Sequence, residues 1–378
     1  MPLYSAVLLV FLFLLSAEVA QATRVFVHPG GLNNQANLDF IKKKIYEKKQ
    51  PWFAEFNRLK NSAFLKREPH ALLLVNSKND NESGNMRDDA IASYSLALMW
   101  IITDNDVFAE RAITILNAWS DFKAFTSGSD QDKLQAGWTG AVFASAAELM
   151  RTYQGWSPNQ ILSFKMMFKR AFYPQLMNPS SWNGNVDLTQ IDALISIAVF
   201  NDDEAAFELA IARLTKRTPS YFYLQSDGKK AIGIEGDGSD IESFWSNPTQ
   251  WINGLTQETC RDNGHHAQYA LASAIHVAEI AWNQGVDVYS ENQLRYTAAM
   301  ELMAKQFLSN DFFTCANTKP SQHYFNTWEI GFNHYYHRVG IKLPFTKQLI
   351  IKKIRTKSQR TSWNIVYETL THSDTAKP

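Results

Sequence analysis

The chain of 378 residues balances 37 Lys and Arg against 37 Asp and Glu, and 45% of it is hydrophobic. That is enough apolar material for one large domain or two ordinary ones. Zero net charge excludes a global attraction to nucleic acid, so any acidic partner must be met by a local patch.

Residues 1–22 have the pattern of a secretory signal. Ala6 to Leu15 is an apolar run too short to span a bilayer comfortably, and Ala20-Gln21-Ala22 is an A-x-A-like cleavage site. The leading segment has no Lys or Arg, so its positive charge comes from the α-amino group. The mature protein is expected to be soluble, secreted or periplasmic, with no membrane association after cleavage. Cys260 and Cys315 fall in the mature part, where they can pair or stay as buried thiols. No metal-spaced Cys/His set accompanies them, and neither a metal nor a cofactor is expected.

Helical periodicity then dominates. Asn37 to Lys49 carries Leu38, Ile41 and Ile45, and Asp88 to Ile102 carries Ala92, Leu96 and Met99. Val107 to Trp119, Leu134 to Tyr153, Asp187 to Phe200 and Asp203 to Leu214 repeat the pattern, and helices resume near Pro248, Gly264, Glu291 and Trp328. The breaks Thr103–Asp106 and Asn201–Asp203 are short, which favours antiparallel hairpins. Ser220 to Ser243 is the exception, an irregular insertion with room for a small hairpin. The expected fold is all-α, an incomplete α/α toroid of antiparallel helical hairpins with a small irregular or β insertion near 220–247. One domain is expected from 23 to 360, then a tail over 361–378. The Lys- and Arg-rich stretch Lys342 to Arg360 reads as a solvated surface.

The richest segment for chemistry is Glu258 to Tyr269 with its continuation to Tyr289. At about 100° per residue, Arg261, His265 and Tyr269 fall on one line, with Gln268 beside it, His276 further along and His266 pointing away. Leu271, Ile275, Ala278 and Trp282 form the neighbouring core stripe. A second group is Ser181-Trp182-Asn183-Gly184-Asn185-Val186-Asp187, whose Asn183, Asn185 and Asp187 all suit an N-cap. The asparagine left over can aim its amide at a carboxylate, and Trp182 can stack on a sugar. Gln135 and Trp138, which precede the helix ending Ala147-Glu148-Leu149, are placed to touch a substrate. His334 and Tyr336 in Trp328 to Arg338 are further substrate-binding candidates, alongside Asn183, His266 and Gln268.

A cation, imidazoles and a phenol without a metal suit β-elimination from a 4-linked polyuronate. The C5 proton is poorly acidic, so the reaction needs the carboxylate neutralised, a base at C5 and an acid for the leaving oxygen. Asn, Gln, Arg or His can do the first, and His or Tyr the others. The expected partner is an acidic polysaccharide and not nucleic acid; oligomeric state is not predicted.

The order of motifs resembles the alginate-lyase superfamily of polysaccharide lyases, which share an α/α toroid. The resemblance rests on Leu134-Gln-Ala-Gly-Trp138 with its Ala-Glu-Leu helix, Asn183-Gly-Asn185, Arg261-Asp-Asn-Gly-His265, Ala278 to Gly285, and Asn333-His-Tyr335. It implies that Asn185 contacts the carboxylate with Arg261 nearby, and that His and Tyr carry the proton transfers. Two departures stand out: Val186 follows Asn185 where the bacterial pattern has histidine, and the Arg261-to-Tyr269 interval is a residue longer. The base must then come from elsewhere, with His265 preferred by face, His266 second, and Tyr269 as proton donor. Alginate, glucuronan or another polyuronate are all open. Two rival readings are an inverting glycosidase using a pair from Asp187, Glu235, Asp237, Asp240 and Glu258, and a non-catalytic sugar-binding protein.

Overall fold

The computed structural model describes residues 24–376 apart from 181, 235–239, 317–323, 357–362 and 365. The expected signal segment and the carboxylates Glu235 and Asp237 lie outside the described residues. Among those described, no helix is long and apolar enough to cross a membrane.

In chain order the helices are α1 (Gln35–Tyr46), α2 (Trp52–Lys60), α3 (Asp80–Thr103), α4 (Asp106–Trp119), α5 (Asp130–Met150), α6 (Pro158–Met167) and α7 (Tyr173–Leu176). They continue with α8 (Gly184–Asn201), α9 (Glu204–Arg217), α10 (Ile241–Phe244), α11 (Thr259–Asp262), α12 (His265–Asn283), α13 (Val288–Ser309), α14 (Glu329–Phe332), α15 (Pro344–Leu349) and α16 (Glu368–His372).

The helices pair as an α/α toroid. Helices α3, α5, α8 and α12 form the inner layer, each against the next, while α4, α6, α9 and α13 lie outside. Sequence explains the layering. Every residue of α8 is buried, its Asp187 and Asp192 included because Arg213 and His276 pair with them, whereas α9 buries only one stripe, including Ala206, Phe207, Ala210 and Leu214. The hairpin turns are as short as the polar breaks suggest. Asp104 and Asp202 end α3 and α8 in the left-handed conformation, and the next residues, Asn105 and Asp203, cap α4 and α9. Gly137 lets α5 and α8 approach closely, since a Cβ there would lie 3.0 Å from the Thr189 backbone.

Several expectations are corrected. Helix α3 begins at Asp80, well before Asp88, because Asn79 caps it and Asp80 and Glu82 favour its first turn. The first two turns carry no apolar stripe, so periodicity missed them. No helix starts at Pro248, which instead bridges to Cys315. The described part of the 220–247 insertion is irregular, with a bridge from Phe222 to Thr256. The two strands among the described residues, β1 (Leu74–Val75) and β2 (Ala124–Phe125), pair in parallel elsewhere. Among the described residues beyond 360, the expected tail contains a packed helix: every residue of α16 is buried. His276 explains why. Its Nδ1 meets Asp192 and its Nε2 meets Glu368, both at 2.9 Å, tying α8, α12 and α16 together. Cys260 and Cys315 form a disulfide with Cα atoms 5.2 Å apart.

Candidate active site

Asn183 proves to be the N-cap of α8, accepting from the Val186 amide at 3.0 Å. Asn185 is thereby released from capping and sits in the first turn, 1% exposed. Its side-chain oxygen is buried without a hydrogen-bond partner, although buried polar atoms are ordinarily paired.

The expected straight line of Arg261, His265 and Tyr269 does not exist. Asn263 and Gly264 both adopt left-handed φ, 53° and 81°, and split the segment into α11 and α12. A Cβ on Gly264 would also come within 3.1 Å of Phe307 and Phe312. What unites the groups is Glu258. One carboxylate oxygen accepts the Asn185 amide at 2.9 Å and the other accepts Arg261 Nη1 at 2.7 Å. Gln257 accepts the Gly184 amide at 2.9 Å, so the Gln257-Glu258 pair pins the Asn-Gly-Asn turn beside α11. Burial pushes the Glu258 carboxyl above its usual range, against the pull of His266, the Asn185 amide and Arg261.

Across the break, Asp262 accepts the His266 amide at 3.1 Å with one oxygen and contacts His266 Nδ1 with the other. Burial works to raise Asp262, but these bonds from His266 hold its carboxyl below the usual range. The His266 side chain stays 30% exposed and the Arg261 side chain 45%. His265 packs edge-on to Phe325 at 5.1 Å and to Tyr269 at 5.6 Å. Tyr269 is 2% exposed and lies against Phe325 at 4.6 Å and Trp363 at 5.0 Å. Trp363 in turn meets Trp138 at 5.6 Å. The N-terminal parts of α5, α8 and α12 thus converge on one site, with Trp182 exposed at its edge.

Other expected residues take structural positions. Gln135 is fully buried, accepting from Arg87 Nη1 at 2.8 Å and donating to the Ser83 carbonyl at 2.9 Å. Gln268 accepts the Phe325 amide at 3.0 Å and so holds that ring against Tyr269. His334 and Tyr336 are not brought here. His334 stacks on Tyr289 and touches Trp282, near the far end of α12, about 25 Å along the axis from His265. Burial, with the Arg338 guanidinium beside it, pushes His334 down to about 4. Tyr336 lines a separate cavity of about 670 Å³ with His337, Lys342, Lys347 and Arg355. The segment Asn333–Arg338 is wound as a π-helix, so spacings assumed for an α-helix do not hold there.

Three residues at the site escaped sequence reasoning. Arg87, whose guanidinium lies 5.8 Å from the Trp138 ring, sits in the unread first turns of α3. Asp262 pairs with a histidine four residues on, a spacing that does signal contact on a helix. Trp363 comes from a stretch that carries no motif. Among the rival carboxylates, Asp187 is buried and bound by Arg213 and by the Tyr221 hydroxyl at 2.8 Å. Asp240 caps α10. Among the described residues no His, Cys, Asp and Glu group converges as a metal-ligand set.

A model of the alginate lyase family matches residues 34–228, more than half of the chain. The chain belongs to the alginate lyase family. It is therefore a polysaccharide lyase. The match takes in Gln135, Trp138 and Asn185 and stops before Arg261. Alginate lyase A1-III from Sphingomonas species A1 has a similar fold at 16% identity and a TM-score of 0.60, over 84% of this lyase and 90% of that chain. A variant of alginate lyase A1-III complexed with tetrasaccharide gives a TM-score of 0.63 at 16% identity, covering 83% and 88%. An alginate lyase from Bacteroides ovatus gives 0.58 at 13%, covering 91% and 99%. These likenesses are of fold. No curated protein matches the chain.

Proposed function

We propose that this lyase is an exported enzyme that cleaves a 4-linked polyuronate by metal-independent β-elimination at the site joined by Glu258. The uronate carboxylate lies between the Asn185 side chain and the free edge of the Arg261 guanidinium. Neutralised there, it accepts the charge that develops when the C5 proton leaves. Asp262 fixes the His266 ring through Nδ1, which leaves Nε2 on the accessible side as the base. This supports His266 over His265, whose ring packs among aromatic neighbours. As the C5–H bond breaks, its electrons form the C4–C5 double bond and the C4–O bond breaks. The departing oxygen takes a proton from the Tyr269 hydroxyl, and the proton on His266 later restores the phenol. No water is consumed.

The single observation that carries this reading is the shared Glu258 carboxylate, which brings an asparagine from α8 and an arginine from α11 to one place. The reading also draws on the tetrasaccharide complex of alginate lyase A1-III. The test incubates the protein with alginate, polymannuronate, polyguluronate and glucuronan in the presence of a chelator. Ultraviolet-absorbing product from at least one polymer is expected, lost in Arg261→Ala and Tyr269→Phe. Cleavage without such product would instead support a glycosidase.

A further inference from the structure

We propose that Trp363 is a substrate-binding residue, forming with Trp138 the aromatic floor beneath the uronate ring that carries the reacting carboxylate. The inference rests on the polyuronate reading above and concerns a part of the chain beyond the family match.

Four observations carry it. First, among the described residues the main core takes in neither indole. Trp363 belongs instead to a small satellite cluster with Tyr269, Ala272 and Phe325. Both tryptophans are half-buried, so each keeps some accessible surface. Second, the placement of Trp363 is imposed. The next residue, Asn364, reaches Asp192 on α8 at 2.9 Å and Ser273 on α12 at 3.0 Å. Tyr367 is tied to Ser95 on α3 at 2.7 Å. Asn364 therefore bridges the helices that bear Asn185 and Tyr269. Third, the crossing lies about one to two helical turns along from the reacting groups. Asp192 is seven residues along α8 from Asn185, and Ser273 four along α12 from Tyr269, about 10 Å and about 6 Å. Fourth, Trp363 holds a left-handed φ of 52°, a conformation that bulky residues rarely adopt and that persists where the surroundings impose it. The Trp138 indole N–H beside it is buried without a hydrogen-bond partner, a donor left over at the site. Flat aromatic faces with a few polar groups at the edge are how sugar rings are held and oriented.

The test compares Trp363→Ala and Trp363→Phe in the full chain, on the polyuronate that the wild type cleaves. Trp363→Ala should raise KM at least tenfold and Trp363→Phe less, with the melting temperature and helical circular dichroism of Trp363→Phe as in the wild type. Adding a saturated tetrauronate should change the tryptophan fluorescence of the wild type, and much of that change should vanish in Trp363→Phe. Wild-type KM in Trp363→Ala, or an undiminished fluorescence change in Trp363→Phe, would overturn the assignment. Should Trp363→Ala fail to fold, the Phe variant decides. A wild type that neither cleaves nor binds any polyuronate overturns the functional reading as well, whereas an active wild type with indifferent Trp363 variants overturns this inference alone.

Discussion

Replacing Glu258 with glutamine separates the positioning of Asn185 and Arg261 from the bulk of the fold. The glutamine fits the same space and still offers one oxygen, but it cannot accept from both the Asn185 amide and Arg261 Nη1, now 2.9 and 2.7 Å from the two carboxylate oxygens. The bond most at risk is the one to Arg261, because an amide NH₂ facing a guanidinium repels it. Hydrogen bonds to charged groups contribute roughly 1.5–3 kcal/mol. If that loss falls wholly on the transition state, kcat/KM drops roughly 10- to 150-fold. The Arg261 side chain is 45% exposed, and solvent screening places the effect in the lower part of that range. Stability should change little, because the variant also removes a buried carboxylate that burial disfavours. Initial rates of unsaturated product, read beside thermal melts, make the comparison. Glu258→Gln with wild-type kcat/KM would refute the claim that this carboxylate organises the site.

Three further outcomes follow from other parts of the molecule. Asp262→Asn should cut turnover by roughly 10²-fold, because the His266 ring loses the carboxylate that orients it; wild-type turnover in this variant would exclude His266 as the base. His276→Ala leaves Asp192 and Glu368 buried without their shared cation and should cost roughly 3–5 kcal/mol, measured by denaturant melts. Burial alone would lower His276, yet Asp192 and Glu368 hold it up to about 10, against 6.5 for the free group. The folded state thus binds this proton more tightly, so its contribution is complete below about pH 6.5 and is lost as pH rises through about 10; equal stability of wild type and His276→Ala at pH 6 would contradict this. Reducing the disulfide, which closes a separation of 55 residues, should lower stability by about 4 kcal/mol and lower activity too, since Cys260 adjoins Arg261.

The helical hairpins were legible because their breaks carry two signals at once: Asp202 and Asp203 serve as the left-handed end of one helix and the cap of the next. Asn185 could be singled out because Asn183 satisfies the cap. The line from Arg261 to Tyr269 failed because Asn263-Gly264, a turn signal in the middle of it, was overridden by helical spacing. Asn185 and Arg261 are nevertheless joined, by a carboxylate whose partner lies 73 positions away. No local pattern reveals such a contact. His334 and Tyr336 misled for a related reason, since a π-helical turn and a buried aromatic stack redirected them. Arg87 and Trp363 stayed unread because one sits in a polar first turn and the other in a stretch whose placement depends on Asn364 reaching two inner helices.

The most direct measurement counts both products of a cut. Elimination creates one C4–C5 double bond for every new reducing end, so ultraviolet absorbance and reducing-end assays on the same polyuronate digest should agree one to one, and both should vanish in Asn185→Ala. New reducing ends without double bonds, or undiminished cleavage by Asn185→Ala, would contradict the chemistry assigned to this site.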